Sequence, residues 1–285
     1  GLLQRTESDG RVRTKFDQTA TVTGRLSSNE PNLQNIPVRT EIGREIRKAF
    51  IARDGWTLID ADYSQIELRI LAHLSSDANM IDAFQSGHDI HQRTAAEVYG
   101  VSLDKVTGAM RSAAKAVNFG IVYGISEFGL ARNIGVTKKE ASEFIARYFM
   151  RYPGVKRFME GAIADGKALS YATTLFGRRR PLPELFSETF TTRSFGERAA
   201  INTPVQGAAA DIIKLAMIRV HRELAKGGYS ARLILQVHDE LIVECPAHEC
   251  ERATALVVRC MENVASLKVP LKVDVKAGKS WFESK

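Results

Sequence analysis

The spacing of apolar positions changes along this chain and divides it into segments. The first fifty residues keep no period. GRLSS (24–28) and NEPN (29–32) read as loops with short strands. After the turn signal Asp54-Gly55, WTLIDAD (56–62) reads as a strand. From Ser64 the period lengthens: Ile66, Ile70 and Leu74 recur at fours with Leu68 and Leu71 between them, which predicts a helix. Helical spacing dominates the middle of the chain. Thr137 and Glu140 form a capping box ahead of the stripe Ala141, Phe144, Ile145, Tyr148 and Phe149, and Pro153 stops that helix. A further helix is predicted over 211–225, closed by Gly227-Gly228. Strands then return. RLILQV (232–237) and ELIVE (240–244) flank His238-Asp239 as a tight hairpin. Ala253, Leu256, Val257, Cys260, Met261 and Val264 make one helical face, and Leu271, Val273 and Val275 alternate with charges as a half-exposed strand. The order predicts an α+β fold in which a helical insertion separates strands of one antiparallel sheet.

Composition narrows the class. With 44% hydrophobic and 26% charged residues in 285, the chain buries a real core, which excludes global disorder. Its net charge of +7 favours a polyanionic partner. Three cysteines, Cys245, Cys250 and Cys260, are too few and odd in number for a disulfide framework and fit a reducing compartment. Cys245, His248 and Cys250 match no common zinc spacing. No apolar run is long enough to cross a membrane as a helix.

Candidate chemistry lies in three places. Asp62 ends a predicted strand and Asp239 sits in a predicted hairpin. Acidic residues weaken strands, so two at strand ends of one sheet could converge, repel, and require a cation between them. Hard oxygen ligands suit Mg²⁺ or Mn²⁺, and paired ions of this kind serve in-line phosphoryl transfer. The same residues also read as turn or cap residues facing water. Arg111, Lys115, Phe119 and Tyr123 are spaced at fours, a slanting stripe about 18 Å long on a helix. Cations at its start and aromatics at its end suit a nucleoside triphosphate, or equally an ordinary amphipathic helix with solvated cations and core aromatics. Arg25, Asn32, Gln34, Asn35 and Arg39, then Arg178-Arg179-Arg180, then Asn202 and Gln206, suit phosphate and groove contacts or simple solvation. GAIADGKA (161–168) nearly matches a phosphate-binding loop, but Ala168 lacks the metal-binding hydroxyl and the segment continues a helical pattern.

Four blocks carry a resemblance: TGRLSSNEPNLQNIP (23–37), DYSQIELR (62–69), RSAAKAVNFGIVYG (111–124) and QVHDE (236–240). In this order they resemble the palm and fingers of family A DNA polymerases, over a match from about Thr23 onward. The resemblance implies a right-hand polymerase fold lacking the thumb: an antiparallel-sheet palm over 1–75 and 206–285, with mainly helical fingers over 76–205. It implies template-directed DNA synthesis from dNTPs on primer–template DNA, with two Mg²⁺ ions, or Mn²⁺, held by Asp62, Asp239 and the Tyr63 carbonyl. Lys115 is implied as proton donor to pyrophosphate. Gln65, Glu67, His91, Arg111, Lys115, Phe119 and Tyr123 are implied to bind the nucleotide, with Glu67 crowding the 2′ position. Arg25, Asn32, Gln34, Asn35, Arg178, Gln206 and His238 are implied to line DNA. The thumb, exonuclease-like and 5′-nuclease domains that precede this stretch in the family are expected on another chain or removed. A cytoplasmic, nucleoid-associated enzyme without a membrane segment is expected. Ser112, Thr173 and Pro181 depart from the residues that many members carry there, which bears on local DNA contacts.

A single-subunit RNA polymerase, a non-catalytic DNA-binding fragment and a metal-dependent nuclease are the competing readings. Glu67 argues against the first, the intact aspartate pair against the second, and the Arg111–Tyr123 stripe against the third. Phenylalanine at position 119 implies rejection of dideoxynucleotides. Phe119→Tyr is therefore expected to raise their incorporation, read by chain-termination assays; equally efficient termination by the unsubstituted chain contradicts this.

Overall fold

The computed structural model describes residues 1–37 and 41–285. Arg39, grouped above with the basic and amide residues, lies outside the described residues. The chain divides into two compact units: Gly1–Ser64 with Ala209–Ala265 and Leu271–Lys285, and Gln65–Ala208 with Ser266–Pro270.

The first unit is built on a four-stranded antiparallel sheet. Its strands are β3 (Trp56–Tyr63), β6 (Arg232–Val237), β7 (Glu240–Pro246) and β8 (Val273–Gly278), in the order β6-β7-β3-β8. A small ribbon, β1 (Lys15–Asp17) with β2 (Ser27–Asn29), and helix α1 (Glu41–Arg47) precede it. Because side chains alternate along a strand, β3 has two faces. Ile59, Ala61 and Tyr63 are buried on the face covered by helix α10 (Cys250–Glu262), where the Tyr63 hydroxyl donates to the Met261 carbonyl at 2.7 Å. The amphipathic stripe of α10 read from the sequence (Ala253, Leu256, Val257, Cys260, Met261) is buried.

The other face carries Leu58, Asp60 and Asp62, and the register sets Glu240 opposite Asp62 and Glu244 opposite Leu58. Leu58 packs in a cluster with Leu33, Ile36, Val237, Ile242 and Trp281. This second face is thus apolar at one end and acidic along the rest. Glu244, buried, is neutralised by Arg11 at 2.9 Å and Arg53 at 3.6 Å. Trp281, also buried, stacks edge-on to Phe50 at 5.5 Å, lies 4.1 Å from the Arg47 guanidinium, and donates its indole N–H to Glu240 at 3.1 Å.

The second unit is helical. It comprises α2 (Ile66–Ser75), α3 (Ala78–Gln85), α4 (Ile90–Tyr99), α5 (Gly108–Val122), α6 (Glu127–Ile134), α7 (Lys138–Arg151) and α8 (Pro153–Leu169), with the ribbon β4 (Tyr171–Thr173) and β5 (Arg179–Pro181). Each start has a local cause. Thr107 caps α5 by accepting from the Met110 amide, Asp89 caps α4 through the His91 and Gln92 amides, and Thr137 with Glu140 forms the expected capping box. Pro153 ends one helix and opens the next. The segment 161–168 lies inside α8, which settles the near-match to a phosphate loop as helix.

Two elements exceed the sequence pattern. Helix α9 runs from Phe190 to Lys226, far upstream of the expected 211–225. Pro204 inside it has no N–H to donate, while the Thr203 hydroxyl donates back to the Ala199 carbonyl at 2.6 Å and occupies a backbone acceptor there. Helix α1 was hidden because its exposure is inverted: Ile42 is 78% exposed while Arg47 is 4% exposed, so no apolar stripe marks it.

Candidate active site

In the sheet unit the structure brings the two sequence-flagged aspartates to neighbouring chain segments. The His238-Asp239 turn joins β6 to β7, with His238 in the left-handed region at φ 54°. The Tyr63 amide donates to the Asp239 carbonyl at 3.1 Å, which ties the end of β3, and with it Asp62, to the turn. Gln236 holds the turn from within by donating to the His238 carbonyl, and the Gln34 amide donates to Gln236 Oε1 at 2.9 Å. Asn32 shapes the loop before it, accepting from the Gln34 amide at 3.0 Å; Asn32 and Asn35 are exposed. Arg25 is close enough to depress the His238 pKa, after burial, the larger cause.

Around Asp62 lies an acidic cluster that spacing did not reveal. Asp60 and Glu240 share its face, and the Lys285 ammonium sits among them. It donates to Asp62 Oδ2 at 3.0 Å and to Glu240, and lies 4.0 Å from Asp60 Oδ1. Asp60 Oδ2 is buried with no hydrogen-bond partner. Burial and the Glu240 charge raise the Asp60 pKa well above the carboxylate range against the pull of Lys285. Burial raises Asp62 likewise, with Lys285 opposing. Burial alone would lower Lys285, but Glu240, Asp60 and Asp62 outweigh it and keep the ammonium charged. The face is short of positive charge. Among the described residues no three His, Cys, Asp or Glu side chains gather as a ready-made metal-ligand set.

In the helical unit α5 resolves the ambiguity of its stripe. Ala114, Val117, Asn118 and Ile121 are buried on one side, while Arg111 and Lys115 are exposed, Phe119 is half-buried and Tyr123 is 38% exposed. The aromatics are therefore surface groups and not core. Arg111 donates twice to Asp89 Oδ2, at 2.7 and 2.9 Å. Burial would raise the Asp89 pKa, but Arg111 and the capping amides outweigh it. The His91 ring lies 5.7 Å from the Phe119 ring. Burial, with Arg111 and Lys115, pulls His91 down to about 4 despite Asp89. Gln65, at φ 54°, starts α2, and the Tyr123 hydroxyl donates to Glu67 Oε2 at 2.7 Å. A cavity of about 490 Å³ opens beside Phe119 and Tyr123, with Gly124 and Arg198 in its wall. Gly124 has φ 65°, and a Cβ there would meet Arg198 at 2.9 Å. Elsewhere in this unit Arg178 closes the β4–β5 turn through a bond from its amide to Thr174 Oγ1, and Gln206 is half-buried in α9.

Sequence reasoning missed Asp60, Glu240 and Lys285 as site residues. The usable signal was Asp60 itself, an acid two positions before Asp62 in a strand that is otherwise apolar. Lys285 carries no such local signal.

Residues 1–283 match DNA polymerase family A, and the chain belongs to that family. The chain is 55% identical over 277 residues to DNA polymerase I of Geobacillus stearothermophilus, covering 97% of this chain and 32% of that protein. It is likewise 55% identical over 287 residues to DNA polymerase I of Bacillus subtilis (strain 168), covering 100% and 33%. The chain thus spans about a third of the length of these curated relatives. Among solved structures it is similar to the POL domain of Pol1 from M. smegmatis in complex with DNA primer-template and dNTP. That likeness has a TM-score of 0.96 at 46% identity, over 99% of this chain and 50% of that one. The expected α+β fold, an antiparallel sheet with a mainly helical insertion, is that of this domain.

The raised pKa of Asp60 has a consequence for stability. The unfolded chain releases this proton in the ordinary carboxylate range, whereas the folded chain keeps it to higher pH, so stability falls as pH rises above that range. Asp60→Asn removes the loss. Urea unfolding without divalent cations is expected to show the variant gaining on the parent from about pH 5 to about pH 8; a difference independent of pH contradicts this.

Proposed function

We propose that this chain carries the nucleotidyl-transfer site of a template-directed DNA polymerase, which adds a dNTP to a primer 3′-hydroxyl and releases pyrophosphate. The reading rests above all on the Tyr63–Asp239 backbone bond, which ties the Asp62 and Asp239 segments together on a cation-poor face in a family A chain. The residues fit hard divalent cations: Asp62, Asp239 and the Tyr63 carbonyl supply oxygen donors, and the unpartnered Asp60 oxygen marks a face short of positive charge. When bound, two Mg²⁺ ions, or Mn²⁺, would acidify the primer hydroxyl and offset the charge on the phosphates.

The remaining chemistry belongs to side chains. Arg111 and Lys115, exposed along α5, grip the triphosphate, and Lys115 gives a proton to the departing pyrophosphate. For Arg111 this means exchanging the Asp89 carboxylate for phosphate oxygens. His91 hydrogen-bonds the triphosphate. Phe119 packs on the sugar and base. Tyr123 holds Glu67 where its carboxylate excludes a 2′-hydroxyl, with Gln65 beside it at the start of α2. Arg25, Asn32, Gln34, Asn35, Arg178, Gln206 and His238 line primer and template through phosphate, sugar and groove contacts. In this reading the palm is 1–75 with 206–285, the fingers are 76–205, and the enzyme works in the cytoplasm on the bacterial nucleoid.

Asp62→Ala and Asp239→Ala are each expected to lower single-nucleotide incorporation about a thousand-fold or more, the several kcal/mol of charge stabilisation a metal site supplies. DNA binding, measured by fluorescence anisotropy in the same samples, should persist. Near-native turnover in either variant would overturn the assignment.

A further inference from the structure

Behind the nucleotide face of the helical unit runs a buried chain of hydrogen bonds with a fixed direction. Its far end is Glu97, whose Oε1 accepts from Arg151 at 2.7 Å and from Arg93 at 3.2 Å. Glu97 Oε2 accepts the Tyr152 hydroxyl at 3.0 Å. The Tyr152 proton is thereby used, so at the 3.2 Å contact between Tyr152 and Thr94 the Thr94 hydroxyl is the donor. That uses the single Thr94 proton. Thr94 Oγ1 also lies 3.3 Å from Asn118 Oδ1, but with no proton left it instead accepts from Asn118 Nδ2 at 3.2 Å. The second Nδ2 proton points at His91 Nδ1, 3.0 Å away. Thr94, Asn118 and His91 are all buried, so water does not intervene freely.

We propose that the Glu97–Tyr152–Thr94–Asn118 chain locks His91 in the tautomer with Nδ1 bare and the proton on Nε2, so that the ring presents one fixed donor. Asn118 and Glu97 are positioning residues that act through His91. A neutral donor suits its setting: Arg111 and Lys115 already repel a further cation there, Asp89 being the one acid that pulls the other way, and burial keeps the ring uncharged with a pKa of about 4. That the donor serves a nucleotide triphosphate rests on the proposed function above; the lock itself does not.

The test is ring ¹⁵N NMR of the full chain labelled at histidine, with His91 assigned from a His91→Gln spectrum. At neutral pH the parent is expected to show Nδ1 unprotonated and Nε2 protonated; a protonated Nδ1 overturns the proposal. Glu97→Gln gives the sharper reading. The two arginines keep an acceptor at the Oε1 position, so the new amide N–H₂ faces Tyr152 and donates to it. Tyr152 then donates to Thr94, Thr94 to a flipped Asn118, and Asn118 accepts from His91. The His91 proton is expected to move from Nε2 to Nδ1; an unchanged tautomer in a folded variant overturns the lock. If that variant fails to fold, Asn118→Asp, which can only accept, is expected to protonate Nδ1, and a bare Nδ1 there overturns it equally. Adding dNTP to the parent should shift the Nε2–H resonance. A locked tautomer that ignores dNTP would retain the lock and remove His91 from the triphosphate site.

Discussion

One constraint organises the sheet unit: three carboxylates share a largely buried face with too little positive charge. Asp60, Asp62 and Glu240 are fixed there by strand register, which no side-chain rotation can undo. Glu244, on the same face, shows the ordinary remedy, with two arginines beside it. The others share one ammonium, that of Lys285, and leave an oxygen of Asp60 with no partner. A protein built only for stability gains nothing from such a face, because like charges buried together raise one another's pKa and cost folding energy. The arrangement makes sense as a seat for cations, and in a family A chain that seat is where nucleotidyl transfer is expected.

The helical unit answers the complementary need. Its stripe of Arg111, Lys115, Phe119 and Tyr123 is held outward by the buried face of α5. Asp89 does two jobs at once, capping α4 with one oxygen and holding Arg111 with the other. Release of Arg111 to a phosphate therefore leaves the α4 cap intact. The Tyr123–Glu67 bond and the His91–Asn118 bond fix two more groups at this surface, so much of the face is preorganised before any nucleotide arrives.

Much of this was legible in the sequence because it is local. The alternation of WTLIDAD, the hairpin around His238-Asp239 and the fours of α5 each depend on neighbours a few positions apart. What was hidden depends on distant pairings. Lys285 reaches Asp62 and Glu240 only because β3, β7 and β8 lie together, and nothing near position 285 announces it. Helix α1 escaped notice because it buries Arg47 under Trp281 and exposes Ile42, the reverse of an amphipathic signature. The first half of α9 escaped because Pro204 and a polar run mask a helix that tertiary packing sustains. The direction of the Glu97–His91 chain requires knowing which of two oxygens each partner touches, which no spacing encodes.

If the carboxylate face is a cation seat, Lys285 competes with the divalent ion for Asp62. Mn²⁺ binding to the chain without DNA or nucleotide, measured by titration calorimetry on the parent and on Lys285→Ala, tests this most directly. The account predicts tighter Mn²⁺ binding once the ammonium is gone, and loss of that binding when Asp62→Asn is added. Binding that is unchanged or weaker in Lys285→Ala, or that survives Asp62→Asn, would contradict it.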